Sequence, residues 1–108
     1  MNVFYALGDE TRRNIFEVIA EGGRIAASDI AAHFKISASA VSQHLKVLKE
    51  TELVKMEKQA QQRFYQINPA ALHEVEDWTK KMTDLLDRRF SVIDKLLESE
   101  KKKMFKSS

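Results

Sequence analysis

Ser39, Ser42, Gln43 and Lys46 stand at i, i+3, i+4 and i+7, which gathers four hydrogen-bonding side chains on one face of a helix. Nothing on that face is bulky or acidic near its start, and Val41, Leu45 and Leu48 form an apolar stripe opposite. Such a face suits the major groove of double-stranded DNA, because short polar side chains let the helix backbone come close to the base edges. Gln43 is the best base reader of the set, since its amide can bond an adenine edge through two hydrogen bonds. Ser39 and Ser42 can reach bases or phosphate, while Lys46 is matched to phosphate. Ser37 and Ser39 have a second use, as cap and first-turn residues of the same helix. His44 lies beside the apolar stripe, where either a packed, hydrogen-bonded ring or a phosphate contact is open to it.

A recognition face needs elements to hold it. The 37–51 helix, with Ser37 as N-cap, is preceded by a short helix over 28–34 that offers Ile30 and Phe34 inward. Before that, Asp9 or Thr11 caps a helix carrying Ile15, Phe16, Ile19 and Ala20, which Gly22-Gly23 ends. Asn2 to Leu7 makes a first amphipathic piece with Val3, Phe4 and Leu7 on one side. After the recognition helix the period changes from helical to alternating. Residues 53–57 and 63–67 read as two strands, with Gln59-Ala60-Gln61-Gln62 at the hairpin tip. Two helices joined by a tight turn and followed by a hairpin have the order of a winged helix-turn-helix. Lys55, Lys58 and Arg63 on the hairpin are candidate phosphate contacts beside the groove. One of Phe64 and Tyr65 must face the core.

Asn68-Pro69 opens the last helix, with Pro at the first helical position. Its stripe runs through Leu72, Val75, Trp78, Met82, Leu85, Leu86, Phe90, Ile93 and Leu97 without a breaker before Lys101-Lys102-Lys103. About 30 residues of helix extend roughly 45 Å, whereas the remaining ~65 residues fold into a body only about 25–30 Å across. The far end of the stripe therefore needs a partner, a second copy being the simplest, unless the helix folds back or frays after Leu86.

Composition narrows the classes. The chain has 108 residues, 44% apolar and 31% charged, with 3 Gly, 1 Pro and no Cys. That is one mostly helical domain, able to bury about 65% of its unfolded surface, with too few turn residues for a barrel or sandwich. Zero cysteine removes disulfides, thiolate metal sites and cysteine nucleophiles. No uncharged run exceeds ten residues, so no membrane span or signal peptide is expected and the cytoplasm is the default compartment. There is no Gly-rich phosphate loop and no paired carboxylate motif, so an enzyme is not expected. Net charge is +2, but residues 35–66 alone carry +3, from Lys35, Lys46, Lys49, Lys55, Lys58 and Arg63 against Glu50, Glu52 and Glu57.

Four segments together resemble the ArsR-type (arsenic-repressor-like) winged-helix regulators. Asp9-Glu10-Thr11-Arg12-Arg13-Asn14-Ile15-Phe16 is similar to their Asp-Pro-Thr-Arg opening, and Ile30 to Ser37 to their bracing helix and turn. Ala40-Val41-Ser42-Gln43-His44-Leu45-Lys46-Val47-Leu48 matches the signature Val-Ser-x-His-Leu-x-x-Leu, and Leu53-Val54 with Arg63-Phe64-Tyr65 matches strand and wing. The resemblance covers about residues 2–70. It implies a homodimeric DNA-binding repressor whose first and last helices form the dimer interface. On this chain those residues are Val3, Phe4, Leu7, Trp78, Met82, Leu85, Phe90, Ile93 and Leu97.

The departures are informative. Metal-sensing members carry a Cys-x-Cys pair where this chain has Ala26 and Ser28. His73 with Glu76 or Asp77 is the only trace of the zinc ligands that other members place on the last helix, and Ala71 stands where an upstream Asp would be. His73 and Asp77 are weak metal candidates, and no cofactor is expected. Glu10 replaces the usual Pro, and the hairpin tip lacks Gly. The expected fold is thus mostly α with a small β-hairpin. Residues 1–68 would form a winged helix-turn-helix domain with an N-terminal helix, 69–100 a C-terminal dimerisation helix, and 101–108 a disordered basic tail. The expected function is a homodimeric regulator, acting as a repressor, with helix 38–51 in the major groove of a pseudo-palindromic operator and hairpin 53–67 as the wing. A protein-interaction module built on the long helix and a zinc-responsive regulator are the alternatives. The inducer is not legible.

Overall fold

A computed structural model describes residues 2–106, with side chains described through Lys101. The order is α1 (Val3–Leu7), α2 (Glu10–Gly22), β1 (Arg24–Ala26), α3 (Ala27–Ala32), α4 (Ala38–Glu50), β2 (Val54–Gln59), β3 (Gln62–Ile67) and α5 (Pro69–Lys106). The packing divides the chain after Val75, so the first two turns of α5 belong with the helix-turn-helix body and not with the rest of that helix.

Caps explain most of the helix ends. Asn2, Asp9 and Ser37 each accept a hydrogen bond from the backbone N–H three residues on, so Asp9 rather than Thr11 opens α2. Gly23, at φ +76°, closes α2 in the left-handed region. Helix α4 ends in a paired motif. Leu53 N–H donates to Leu48 C=O and Glu52 N–H to Lys49 C=O, both at 3.0 Å, with Leu48 and Leu53 fully buried against the turn. Glu52 sits there at φ +61°, a position that favours glycine. Asn68 then ties the start of α5 to this corner, its side-chain amide donating to Glu52 C=O at 2.8 Å.

The core of the first unit is built from Ile15, Phe16 and Ile19 of α2, Ile30 of α3, Val41, Leu45 and Leu48 of α4, and Leu53, Val54 and Tyr65 of the hairpin segment. Val3 and Ala6 fill it from α1 and Ala71 from α5. Ala71 and Val75, one turn apart, are therefore the inward pair of α5, whereas Leu72 stays exposed.

Three features differ from the sequence reading. The hairpin has a third strand: β1 pairs antiparallel with β3, giving the order β1-β3-β2. The hairpin strands also run further than expected, so that only Ala60 and Gln61 remain between the paired Gln59 and Gln62. Finally, α5 runs from Pro69 to Lys106, beyond residue 101 where the sequence reading begins a tail. Ser107 and Ser108 lie outside the described residues.

From Glu76 on, α5 is a helix with Trp78, Leu85, Leu86, Phe90, Val92, Ile93, Leu96 and Leu97 all exposed, Phe90 at 59%. Met82 is half-buried. No described helix is long and apolar enough to cross a membrane.

Candidate nucleic-acid interface

Helix α4 carries the site because its two faces differ so sharply. Val41, Leu45 and Leu48 hold it to the core, and Ser39, Ser42, Gln43 and Lys46 are all exposed on the other side. Ser37 is committed to its cap, accepting from Ala40 N–H at 3.0 Å, which leaves its hydroxyl proton as the group it can offer a phosphate.

The strand parity decides which hairpin residues join this face. In β2, Val54, Met56 and Lys58 share one side; across the ladder they oppose Ile67, Tyr65 and Arg63. Tyr65 is buried and Met56 half-buried, so Lys58 and Arg63 continue the side that packs on the core. A cleft of about 290 Å³ results, lined by Ala27, Ser42, Gln43, Leu45, Lys46, Lys49, Met56, Arg63 and Tyr65. Three of its residues are cationic and none is acidic. Beside it, Ser42 and Arg63 also line a second hollow with Ser28, Gln61 and Gln62 of the hairpin tip.

Lys55 is not part of this grouping. It pairs with Gln66 on the other side of the hairpin, with Glu57 and Phe64. Arg24 of β1 occupies that side. Its guanidinium lies 3.9 Å over the Phe64 ring, 3.6 Å from the Glu57 carboxylate, and donates to Gln59 Oε1 at 2.9 Å. Lys55 thus faces away from the α4 cleft, and its place among the phosphate contacts does not fit the pairing. Lys49 is the converse. The sequence reading counted its charge only, yet it lines the cleft one turn beyond Lys46. Its spacing of seven from Ser42 was the available signal.

His44 is half-buried, with Nδ1 3.2 Å from the Arg12 guanidinium. A guanidinium has only donors, so Nδ1 must accept and the ring proton sits on Nε2. Of the readings open to His44, the packed and hydrogen-bonded one describes its inner nitrogen.

The expected dimer residues divide. Val3 is 3% exposed and is taken up by the core of the first unit, and Leu7 packs against that core. Phe4 is exposed on α1, as are Trp78, Leu85, Phe90, Ile93 and Leu97 on α5. His73 and Asp77 are both exposed, and among the described residues no three His, Asp or Glu side chains gather as metal ligands.

Comparison with known proteins places this architecture. The family description "Helix-turn-helix domain" matches residues 7–57. The transcriptional repressor SdpR of Bacillus subtilis is 39% identical over 77 residues, 71% of this chain and 84% of that protein. The HTH-type transcriptional regulator Rv2034 of Mycobacterium tuberculosis is 40% identical over 83 residues, 72% and 77% of the two chains. Among solved structures, an ArsR-like transcriptional regulator from Rhodococcus sp. RHA1 superposes with a TM-score of 0.74 at 29% identity, covering 87% of this chain and 88% of its own. The chain belongs to the ArsR family of winged helix-turn-helix transcriptional regulators. As an ArsR-family protein it is a DNA-binding regulator. It also lacks cysteine altogether: Ala26, buried at the N-terminal boundary of α3 and making no side-chain cap, and the exposed Ser28 can neither of them supply a thiolate.

Proposed function

We propose that this ArsR-family chain is a homodimeric, sequence-specific repressor that is not an enzyme. Each protomer sets α4 into the major groove of one half of a pseudo-palindrome, with half-sites about 34 Å apart or a multiple of that, and lays the β2–β3 hairpin on the adjoining backbone. The observation that carries this reading is the acid-free cleft joining Ser42, Gln43, Lys46 and Lys49 of α4 to Arg63 of the hairpin. Gln43 and the two exposed serines, Ser39 and Ser42, read base edges. Lys46, Lys49, Lys58 and Arg63 neutralise phosphates, with the Ser37 hydroxyl and His44 Nε2–H as neutral donors at the helix start and flank. The second copy covers the exposed stripe of α5. Repression is the role of the Bacillus subtilis relative SdpR, and blocking a promoter needs nothing beyond tight, specific occupancy.

Selection of bound duplexes from a random-sequence pool tests the reading in one experiment. Recovered fragments should share an inverted repeat, and affinity should fall steeply with salt, by a log–log slope of about −0.9 per phosphate neutralised. Recovery of no common sequence, or of a single unrepeated half-site, defeats it.

A further inference from the structure

Among the described residues Arg12 is the one charged side chain that is buried: it is 8% exposed and belongs to α2. Three contacts hold it. Its Nε donates to Ala6 C=O at 2.8 Å on α1, its Nη1 meets His44 Nδ1 at 3.2 Å on α4, and its guanidinium lies 5.3 Å from the centre of the Tyr5 ring on α1. Among the described residues no carboxylate pairs with it. A buried cation held by neutral acceptors is an expensive way to fasten helices together, since an apolar side chain of similar volume commonly does so with equal or greater stability. What the guanidinium adds is direction. The apolar contacts of Val41, Leu45 and Leu48 keep α4 against the core but tolerate small rotations, because burial has no preferred angle. A hydrogen bond from a planar fork does have one. His44 follows Gln43 directly in the chain, so fixing the first fixes the rotation of the second.

We propose that Arg12 is a positioning residue for DNA reading, anchored on Ala6 and Tyr5 of α1, that sets the rotation of α4 through His44 Nδ1 and thereby aims Ser39, Ser42 and Gln43 at the base edges. This rests on the reading of α4 as the recognition helix. It makes His44 the receiving end of a linkage and α1 its fixed point.

The test uses the full chain, a duplex selected by the wild-type protein from a random pool, and a scrambled duplex of the same length. The readouts are the ratio of the two affinities and the thermal midpoint. Arg12→Met should keep or raise the midpoint while lowering the ratio about tenfold or more, the loss expected for a hydrogen bond from a charged group. Arg12→Lys should lose the ratio likewise, because one ammonium head cannot reach Ala6 and His44 together. His44→Asn, whose Oδ1 can replace Nδ1 as acceptor, should lose less of the ratio than His44→Leu, because any phosphate contact of Nε2–H is lost from both duplexes alike and cancels in the ratio. The double variant Arg12→Met/His44→Leu should lose no more than the worse single change. A wild-type ratio in Arg12→Met or in Arg12→Lys overturns the proposal, as do equal losses in His44→Asn and His44→Leu. If the midpoint and both affinities fall together in every Arg12 variant, Arg12 is merely structural and the proposal also fails. A wild-type protein that prefers no duplex overturns the recognition reading itself, which separates the two failures.

Discussion

Helices α4 and α5 are both amphipathic, and the fold treats their apolar stripes in opposite ways. In α4 the stripe Val41, Leu45, Leu48 is buried, so the face left over is polar: Ser39, Ser42, Gln43, Lys46. Beyond Glu76 the stripe of α5 is itself the face left over, from Trp78 to Leu97. In both helices the part not used by the chain's own fold is left exposed, and the two leftovers differ in chemistry: hydrogen-bonding and cationic on α4, apolar on α5.

The contrast can be broken from either side. The largest effect is expected for Leu85→Glu/Ile93→Glu, which puts charge on the face proposed to be covered by a second copy. Self-association should weaken by about 3–5 kcal/mol, seen by sedimentation equilibrium, with the secondary structure of residues 3–75 unchanged by circular dichroism. A wild-type chain that is monomeric at micromolar concentration would end the proposed dimer at once. Leu48→Ala acts on the buried stripe instead. It should cost the fold about 2–5 kcal/mol in urea unfolding, because Leu48 is fully buried and closes the α4 turn against Leu53. Gln43→Ala should leave stability unchanged and cost about 1–3 kcal/mol on the selected duplex with little change on a scrambled one. Lys58→Ala should instead weaken both duplexes alike and reduce the magnitude of the salt slope by about one. The smallest effect has the opposite sign. Glu52→Gly should stabilise the fold by about 0.5–1 kcal/mol, since Glu52 holds a left-handed backbone that glycine adopts freely.

The sequence made α4 legible, cap and both faces included, because all of that information lies within fourteen neighbouring positions. What it hid depends on pairing over distance. Strand β1 is three residues long, has no alternation to show, and exists because Arg24, Ile25 and Ala26 find Gln66, Tyr65 and Phe64. Arg12 and His44 are 32 positions apart, and no local pattern joins them. Lys55 is a different matter. Its charge suggested phosphate, but its odd spacing from Lys58 already set it on the other side of the strand, with Glu57. On α5 the larger Leu72 masks the inward pair Ala71 and Val75, which share a face one turn apart.

The hairpin's pairing carries a consequence for how such a wing can vary. Lys58 opposes Arg63, and Glu57 opposes Phe64 on the reverse side, with Met56 and Tyr65 as the last pair anchored in the body. A residue inserted between Ala60 and Gln61 only lengthens the turn. One inserted into either strand outside the Met56–Tyr65 pair turns that strand's basic side chain to the reverse side, and in β2 it can bring a carboxylate round in exchange. Lineages of this wing can therefore lengthen freely at the tip, but within the strands only in steps of two.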